Sequence, residues 1–232
     1  RRLPDPPCGS GFWGAARHRS AVGACCDRGA AAKRNEGVEG SGKSTQSRAL
    51  VGRLTDAEYD ALLTIEPGGT PTGMQVRQWV KTGDSVTPLA ELFLFSAARA
   101  ALVETVISPA LADGTTVICD RYIYSTVAYQ GHGRGLDSDT IAELNETATM
   151  GVLPDLVVLL DLPPDHGFGR KSDNELDRIE LENDDFHLRV RQGYLAQARE
   201  EPDRWLVLDA SASQPNLSDS VWNRVSDMLA KT

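Results

Sequence analysis

The chain has 232 residues, of which 41% are hydrophobic and 25% charged, with a formal net charge of −9. This length and composition allow one globular domain with a sizeable core. The acidic balance argues against a surface that coats nucleic acid. The longest apolar run, "DLVVLLDL", is far too short to span a bilayer. We therefore expect neither a nucleic-acid partner nor a membrane partner.

The four cysteines indicate a reducing environment. Cys8, Cys25, Cys26 and Cys119 form no CxxC pair, and no Cys/His spacing typical of a zinc site is present. The chain does not open with the charged and apolar segments of a secretory signal. These features favour a cytoplasmic location.

The first 36 residues differ in composition from the remainder. They contain seven basic and three acidic residues, are rich in Gly, Pro and Ala, and show no helix or strand period. We expect residues 1–36 to be an atypical, disordered leader and residues 37–232 to form the folded domain.

Helical and strand patterns alternate after Gly37. The predicted helices cover 44–54, 89–112, 139–149, 184–200 and 217–230, and the predicted strands cover 59–65, 115–119, 156–162 and 205–209. Three of these strands are continuously apolar, which is typical of strands buried on both faces. The alternation predicts an α/β fold with a mostly parallel sheet and helices on both faces.

The stretch "GVEGSGKST" has the spacing of a phosphate-binding loop, G-x-x-x-x-G-K-[ST]. Glycines permit backbone N–H groups to approach phosphate oxygens closely, and the following helix directs its N-terminal dipole at the anion. Lys43 is expected to reach the β- and γ-phosphates, and the Ser44 hydroxyl to bind Mg²⁺. The predicted phosphate-binding residues are Gly37, Gly40, Ser41, Gly42, Lys43, Ser44 and Thr45.

This loop alone leaves GTPases, transport ATPases and small-molecule kinases open. The chain has no N-K-x-D guanine motif and no L-S-G-G-Q signature. Asp120 and Arg121 follow a predicted buried strand, where ligands bind in open parallel sheets. Asp120 can hold Mg²⁺ or its waters, and Arg121 can clamp a phosphate. The alternative is a structural ion pair at the end of the strand.

Six segments together resemble the thymidylate kinase family: "EGVEGSGKSTQ", "EPGGTP", "FSAARAALVETVISPAL", "DRYIYSTVAYQGHGRG", "PDLVVLLDL" and "ELDRIE". The resemblance covers about residues 36–210. It implies a P-loop NTPase three-layer fold, with a five-stranded, mostly parallel sheet and a small lid at about 167–182. It also implies phosphorylation of dTMP by ATP with Mg²⁺ in dTTP synthesis, and a homodimer that pairs through helices including 89–112.

The resemblance assigns an acceptor site on the long predicted helix. Phe95 matches the ring that stacks on thymine, and Arg99, one helical turn later, matches the donor to thymine O4. Arg77 and Arg121 match the arginines that contact the monophosphate. From periodicity alone, Phe95 would belong to the core and Arg99 to the surface.

Further acceptor residues follow from the same resemblance. Glu39 is expected at the 3′-hydroxyl, while Tyr129 and Gln130 pack around the deoxyribose and base, or have a purely structural role. Glu66 and Pro67 belong to the loop that lines the acceptor site, with Glu66 near the metal or the phosphate.

The segment "GRKSDNELDRIE" matches the lid, whose cations would reach over ATP. Arg170, Lys171 and Arg178 are the candidates, with Arg170 assigned to ATP. The expected catalytic residues are Lys43, Asp120, Arg121 and Arg178, and the expected metal ligands are Ser44, Asp120 and Glu66.

The chain departs from the family pattern in two places. Ile65 stands where the family has an arginine, and residues 30–35, "AAAKRN", replace the apolar strand that precedes the loop. Lys33 and Arg34 in a buried central strand would cost several kcal/mol each. Either the leader is not native to this domain, or a distorted strand forms at reduced stability.

Two other functions are compatible with these departures. One is a kinase of a different nucleoside monophosphate. The other is a nucleotide-binding protein without turnover, because small misalignments can abolish phosphoryl transfer.

Overall fold

The computed structural model describes residues 32–37, 41–82, 86–163 and 178–231. Within them, five strands form one parallel sheet in the order β2-β3-β1-β4-β5. The strands are β1 (Ala32–Glu36), β2 (Ala61–Ile65), β3 (Thr116–Asp120), β4 (Leu156–Asp161) and β5 (Trp205–Asp209). The predicted α/β fold with a five-stranded parallel sheet is confirmed.

Helices connect the strands on both sides of the sheet. They are α1 (Lys43–Asp56), α2 (Pro71–Thr82), α3 (Pro88–Leu102), α4 (Ser108–Ala112), α5 (Ile123–Thr126), α6 (Ser138–Thr149), α7 (Asp184–Glu200) and α8 (Gln214–Leu229). The predicted helix at 89–112 is interrupted by a π-helical turn, Val103–Ile107, and a second π-helical segment, Val127–Gly133, continues α5. None of the described helices combines the length and the apolar character that a bilayer crossing requires.

The two faces of the sheet bury separate apolar clusters. Along β3, Val117 and Cys119 pack into one cluster with α7, whereas Ile118 packs into the other with α1 and α8. Successive side chains of a strand point to opposite faces, so a continuously apolar strand needs helices on both sides. This requirement explains why the segment "TVICD" is fully buried.

The central strand β1 corrects the prediction that residues up to Glu36 form a leader without a strand. Its residues lie between β3 and β4, with Lys33 opposite Ile118 and Leu156, and Glu36 opposite Leu159. The main-chain N–H and C=O groups of β3 and β4 that face β1 need hydrogen-bond partners. The backbone of β1 can provide them whatever its side chains are, because the hydrogen bonds of a sheet join main-chain groups. Residues 1–31 lie outside the described part, so the hypothesis of a non-native leader is left as a hypothesis.

The strand order positions a site at the carboxyl end of β1. From β1 the chain crosses to β2 and β3 on one side and then to β4 and β5 on the other. In open parallel sheets, ligands bind where the strand order switches direction in this way. The phosphate-binding loop leaves β1 at this point.

Candidate active site

Two glycines of the phosphate-binding loop adopt backbone conformations that favour glycine. Gly37 has φ +139°, and an added Cβ would lie 2.6 Å from the carbonyl oxygen of Leu160. Gly42, with φ 93°, precedes α1, and the first turn of α1 receives no side-chain cap from the described residues. A helix N-terminus without a side-chain cap is suited to binding an anion.

A cavity of about 470 Å³ opens at the carboxyl ends of the strands. This volume is typical of small-molecule sites. The predicted residues that line it are Gly42, Lys43, Ser44, Thr45, Glu66, Pro67, Arg77, Phe95, Arg99, Asp120, Arg121, Tyr129 and Gln130. Gly37 and Ser41 are buried in the loop but are not among the described lining residues, whereas Glu39 and Gly40 lie outside the described residues.

Ser44 and Asp120 meet at the edge of this cavity. The Ser44 hydroxyl donates to Oδ2 of Asp120 at 2.5 Å, and the buried Oδ1 of Asp120 has no hydrogen-bond partner among the described residues. No cluster of three or more His, Cys, Asp or Glu side chains suited to a metal occurs in the described part. Oxygen ligands from one or two side chains, completed by water and phosphate, suit Mg²⁺. The pair therefore has the chemistry to hold Mg²⁺ together with a nucleotide.

Arg99 is buried in an ion pair with Glu66. Its Nε donates to Oε2 of Glu66 at 3.0 Å, and Nη2 donates to Oε1 of the same carboxylate. Nη1 also donates to Asn145 at 2.5 Å, and Nη2 to Thr126 at 2.7 Å. Only 1% of Arg99 and 3% of Glu66 are exposed.

These contacts correct two expectations. Arg99 is not the surface charge that periodicity suggested, and contacts with described residues occupy four of its five N–H bonds. The fifth N–H has no hydrogen bond to a described residue. The Glu66 carboxylate, expected near the metal or the phosphate, instead holds the guanidinium of Arg99, because a buried cation requires a charge partner.

Arg121 extends into the cavity directly after β3. Its backbone adopts φ 71°, which is unusual for a non-glycine residue. Nη1 donates to Ser125 Oγ at 3.3 Å and to Tyr194 OH at 3.4 Å, and Nη2 donates to Tyr129 OH at 3.4 Å. The guanidinium also lies 5.2 Å from the ring centroid of Tyr129. Hydroxyl groups therefore hold the side chain of Arg121.

Glu36 lies beneath this group of hydroxyls and is fully buried. Its Oε1 accepts the N–H of Tyr122 at 2.8 Å, and its Oε2 accepts hydrogen bonds from Ser125 at 2.5 Å and Tyr194 at 3.2 Å. Burial raises the pKa of Glu36 to about 7, although these hydrogen bonds and the positive charge of Arg121 oppose the shift. Glu36 has no role among the sequence predictions, because it was counted within the leader.

The acceptor side contains two further predicted residues. Arg77 donates from Nη1 to the carbonyl oxygen of Pro67 at 3.0 Å, which joins α2 to the loop after β2. Phe95 is half-buried and presents part of its ring to the cavity.

Glu91 connects the acceptor side to the end of the predicted lid. Its buried carboxylate accepts from Gln130 Nε2 at 2.7 Å, from Arg134 at 3.4 Å and from Arg178 Nη2. Arg178, expected over ATP, pairs with the buried carboxylate of Glu91 and is not among the described residues lining the cavity. The other lid candidates, Arg170 and Lys171, lie outside the described residues.

Several residues of the site are not among the residues predicted from the sequence. Glu91 had a usable signal, because it lies one helical turn before Phe95 on the same face as Arg99. Ser125 had another, since it lies four residues after Arg121 within the quoted "DRYIYST" segment. Asn145 and Tyr194 come from α6 and α7, and no local pattern links those helices to the loop.

Comparisons with known proteins agree on one family. A model of the thymidylate kinase family matches residues 36–221. Thymidylate kinase of Dehalococcoides mccartyi is 48% identical over 196 residues, which cover 84% of this chain and 95% of that protein. Thymidylate kinase of Thermomicrobium roseum is 45% identical over 198 residues, with coverages of 84% and 94%. The crystal structure of thymidylate kinase from Ehrlichia chaffeensis has a TM-score of 0.70 at 32% identity and covers 86% of this chain and 99% of that chain.

Proposed function

We propose that this chain, which belongs to the thymidylate kinase family, transfers the γ-phosphate of ATP to dTMP and yields ADP and dTDP. The family match over residues 36–221 confirms the resemblance predicted over 36–210. The observation that carries the proposal is the shared cavity, in which Lys43 from the phosphate-binding loop lies with Arg77 and Arg121 from the acceptor side.

The charges of this cavity suit transfer between two anions. Arg99 is neutralised by Glu66, so Lys43, Arg77 and Arg121 are the described cations of the cavity that we assign to phosphate groups. Lys43 would bind the transferring phosphate, and the two arginines would bind the phosphate of dTMP. Cations in these positions offset the repulsion between donor and acceptor and stabilise the charge of the transition state. The reaction needs no covalent intermediate, because positioning and charge supply the catalysis.

Ser44 and Asp120 are the residues that we propose to hold Mg²⁺. Oδ1 of Asp120, which has no hydrogen-bond partner in the described part of the chain, and the adjacent hydroxyl of Ser44 support this assignment. When bound, Mg²⁺ would neutralise phosphate charge and orient the phosphate oxygens. The carboxylate and the hydroxyl fix each other's positions before any substrate arrives.

The acceptor assignments apply to the base and sugar. Phe95 would stack on thymine, and the remaining N–H of Arg99 would donate to O4. Tyr129 and Gln130 would enclose the deoxyribose closely enough to exclude a 2′-hydroxyl. Hydrogen bonds to Arg121 and Glu91 restrain these two side chains, which supports a preformed acceptor pocket.

Two further proposals concern the assembly and location of the protein. Leu89 and Phe93 lie one turn apart on α3 and are 49% and 52% exposed, which supports a homodimer through this helix. Substitution of Phe93 by Ser should then give a monomer in sedimentation experiments, whereas an unchanged mass would contradict this interface. Cys119 is buried and forms no disulfide with a described residue, which supports a cytoplasmic location.

A coupled assay of ADP release tests the proposed function. The protein is incubated with ATP, Mg²⁺ and, separately, dTMP, dUMP, UMP, CMP, AMP or GMP. We expect the fastest turnover with dTMP, a loss of about 100-fold or more in Lys43→Ala, and full activity in Lys231→Ala. A different preferred acceptor would favour another nucleotide kinase, and a folded protein without turnover would favour nucleotide binding alone.

A further inference from the structure

The guanidinium of Arg121 is surrounded by hydroxyl groups that have to face it with their lone pairs. Ser125 and Tyr194 each accept a hydrogen bond from Nη1 at 3.3 and 3.4 Å. A hydroxyl can also donate, so its orientation depends on what accepts its own proton. Both hydroxyls therefore accept hydrogen bonds from Arg121 reliably only if another group accepts the protons of Ser125 and Tyr194.

Glu36 provides the acceptor for these protons. Its Oε2 lies 2.5 Å from Ser125 Oγ and 3.2 Å from Tyr194 OH, and the two hydroxyls are 2.8 Å apart. An ionised carboxylate accepts hydrogen bonds only. The protons of Ser125 and Tyr194 consequently point into the cluster of Glu36 and the two hydroxyls, and lone pairs of both oxygens face Arg121.

The second oxygen of Glu36 secures the backbone. Oε1 accepts the N–H of Tyr122 at 2.8 Å, and this N–H belongs to the peptide that follows Arg121. Arg121 has φ 71°, a conformation that is strained for a non-glycine residue and needs support from its surroundings. One buried carboxylate thus supports both the main chain and the side chain of Arg121.

We propose that Glu36 is a positioning residue for phosphoryl transfer, which holds Arg121 on the acceptor phosphate through Ser125, Tyr194 and the Tyr122 N–H. This inference rests on the proposed function, because it takes Arg121 as a ligand of the dTMP phosphate. It gives a role to the last residue of β1, immediately before the phosphate-binding loop.

The arrangement makes Arg121 sensitive to protonation. The groups that face Glu36 include the cation of Arg121, the phenol of Tyr194, the Ser125 hydroxyl and the Tyr122 N–H. The phenol of Tyr124 also interacts electrostatically with Glu36. Protonated Glu36 would donate to one of the hydroxyls and would no longer fix both of them toward Arg121. Since burial raises the pKa of Glu36 to about 7, this change falls near neutral pH.

Steady-state kinetics with ATP and dTMP on matched variants test the inference. Glu36→Gln keeps the shape but not the charge, and should lower kcat/KM for dTMP about 10- to 100-fold while KM for ATP changes less than about threefold. Tyr194→Phe should show the same pattern more weakly. Tyr124→Phe is the control, because its hydroxyl contacts Arg204, and it should retain full activity.

Two further measurements separate positioning from a general structural role. In an Arg121→Gln background, Glu36→Gln should add less than about a twofold loss, because residues that act through one another are not additive. The rise of kcat/KM between pH 6 and pH 8 should also be smaller in Glu36→Gln than in the native chain.

Additive losses, or unchanged kinetics in both Glu36→Gln and Tyr194→Phe, would overturn the inference. If Glu36→Gln does not fold, the inference is tested by the kinetics of Tyr194→Phe and by a double-mutant cycle of Tyr194→Phe with Arg121→Gln. If the native chain shows no turnover with dTMP, the proposed function fails separately. In that case, calorimetry measures the binding of dTMP to the same variants. Dissociation constants equal to that of the native chain would reject the inference.

Discussion

The Ser44 hydroxyl lies 2.5 Å from a carboxylate oxygen of Asp120, although 76 positions separate these residues in the chain. The strand order explains the contact. β1 and β3 are neighbours in the sheet, so the loop that follows β1 and the last residue of β3 meet at the same edge. Sequence motifs far apart along the chain thereby meet at the position where we propose that Mg²⁺ binds.

We expect Asp120→Asn to require more Mg²⁺ for activity. The amide keeps the size of the side chain but removes the charge that Mg²⁺ requires, so the rate at saturating ATP should fall about 100-fold or more. The concentration of Mg²⁺ that gives half the maximal rate should rise. Asp113→Asn, an exposed carboxylate before β3, is the control. An unchanged Mg²⁺ dependence in Asp120→Asn would reject the assignment.

Arg99→Met should lower the free energy of unfolding by about 3–5 kcal/mol, because it leaves the buried carboxylate of Glu66 without its charge partner. Replacing both partners, in Arg99→Met with Glu66→Leu, should recover most of this loss without restoring the use of dTMP. Urea unfolding followed by circular dichroism measures both effects. Arg77→Met, which removes a contact to a carbonyl, should cost about 1 kcal/mol. A similar loss in the single and double variants would contradict the ion-pair argument.

Phe95→Ala is the cleaner test of thymine recognition, since Arg99 also stabilises the fold. The half-buried ring of Phe95 lies at the cavity, so its removal should reduce the preference for dTMP over UMP about tenfold with only a modest loss of stability. Parallel assays of both acceptors measure the ratio. Tyr59→Ala, an exposed aromatic before β2, should leave it unchanged. If Phe95→Ala retains the native preference, another residue recognises the base.

The elements predicted best are those with a pattern of their own. Helix 184–200 and strand 205–209 agree residue for residue with α7 and β5, because the chain segment itself contains the apolar spacing. β1 was expected only as one of two alternatives, because its own residues lack an apolar pattern and its pairing with β3 and β4 is not visible in the sequence. Hydrogen bonds from β3 and β4 are a property of the assembled sheet.

The site shows the same division. Lys43, Ser44 and Asp120 were predictable because each belongs to a short motif at the end of a strand. The partners of Arg99 were not, because Glu66, Asn145 and Thr126 come from three distant segments. Such polar networks depend on how distant segments pack together, and a single stretch of sequence does not show this packing.

The raised pKa of Glu36 predicts a specific pH dependence of stability. Folding raises this pKa from 4.5 to about 7, so between these values the folded state binds more protons than the unfolded state. Stability from this group is fully present below pH 4.5 and is lost as the pH rises to about 7, by up to about 1.4 kcal/mol per pH unit. The melting temperature of the native chain minus that of Glu36→Gln should decrease across this range and then level off. A constant difference between pH 5 and pH 8 would contradict the raised pKa.

The final prediction concerns the basic residues of β1. Positions 33 and 34 pair with Ile118, Cys119, Leu156 and Val157 of the neighbouring strands, all of which are fully buried. Lys33→Val combined with Arg34→Ile places β-branched residues in this central strand, and we expect a gain of about 2 kcal/mol or more in the free energy of unfolding. Urea unfolding measures the gain, with Lys231→Val as the control for removal of a positive charge. Equal stability of the native chain and the double variant would show that these two charges do not weaken the strand, and would remove the energetic argument for a non-native leader.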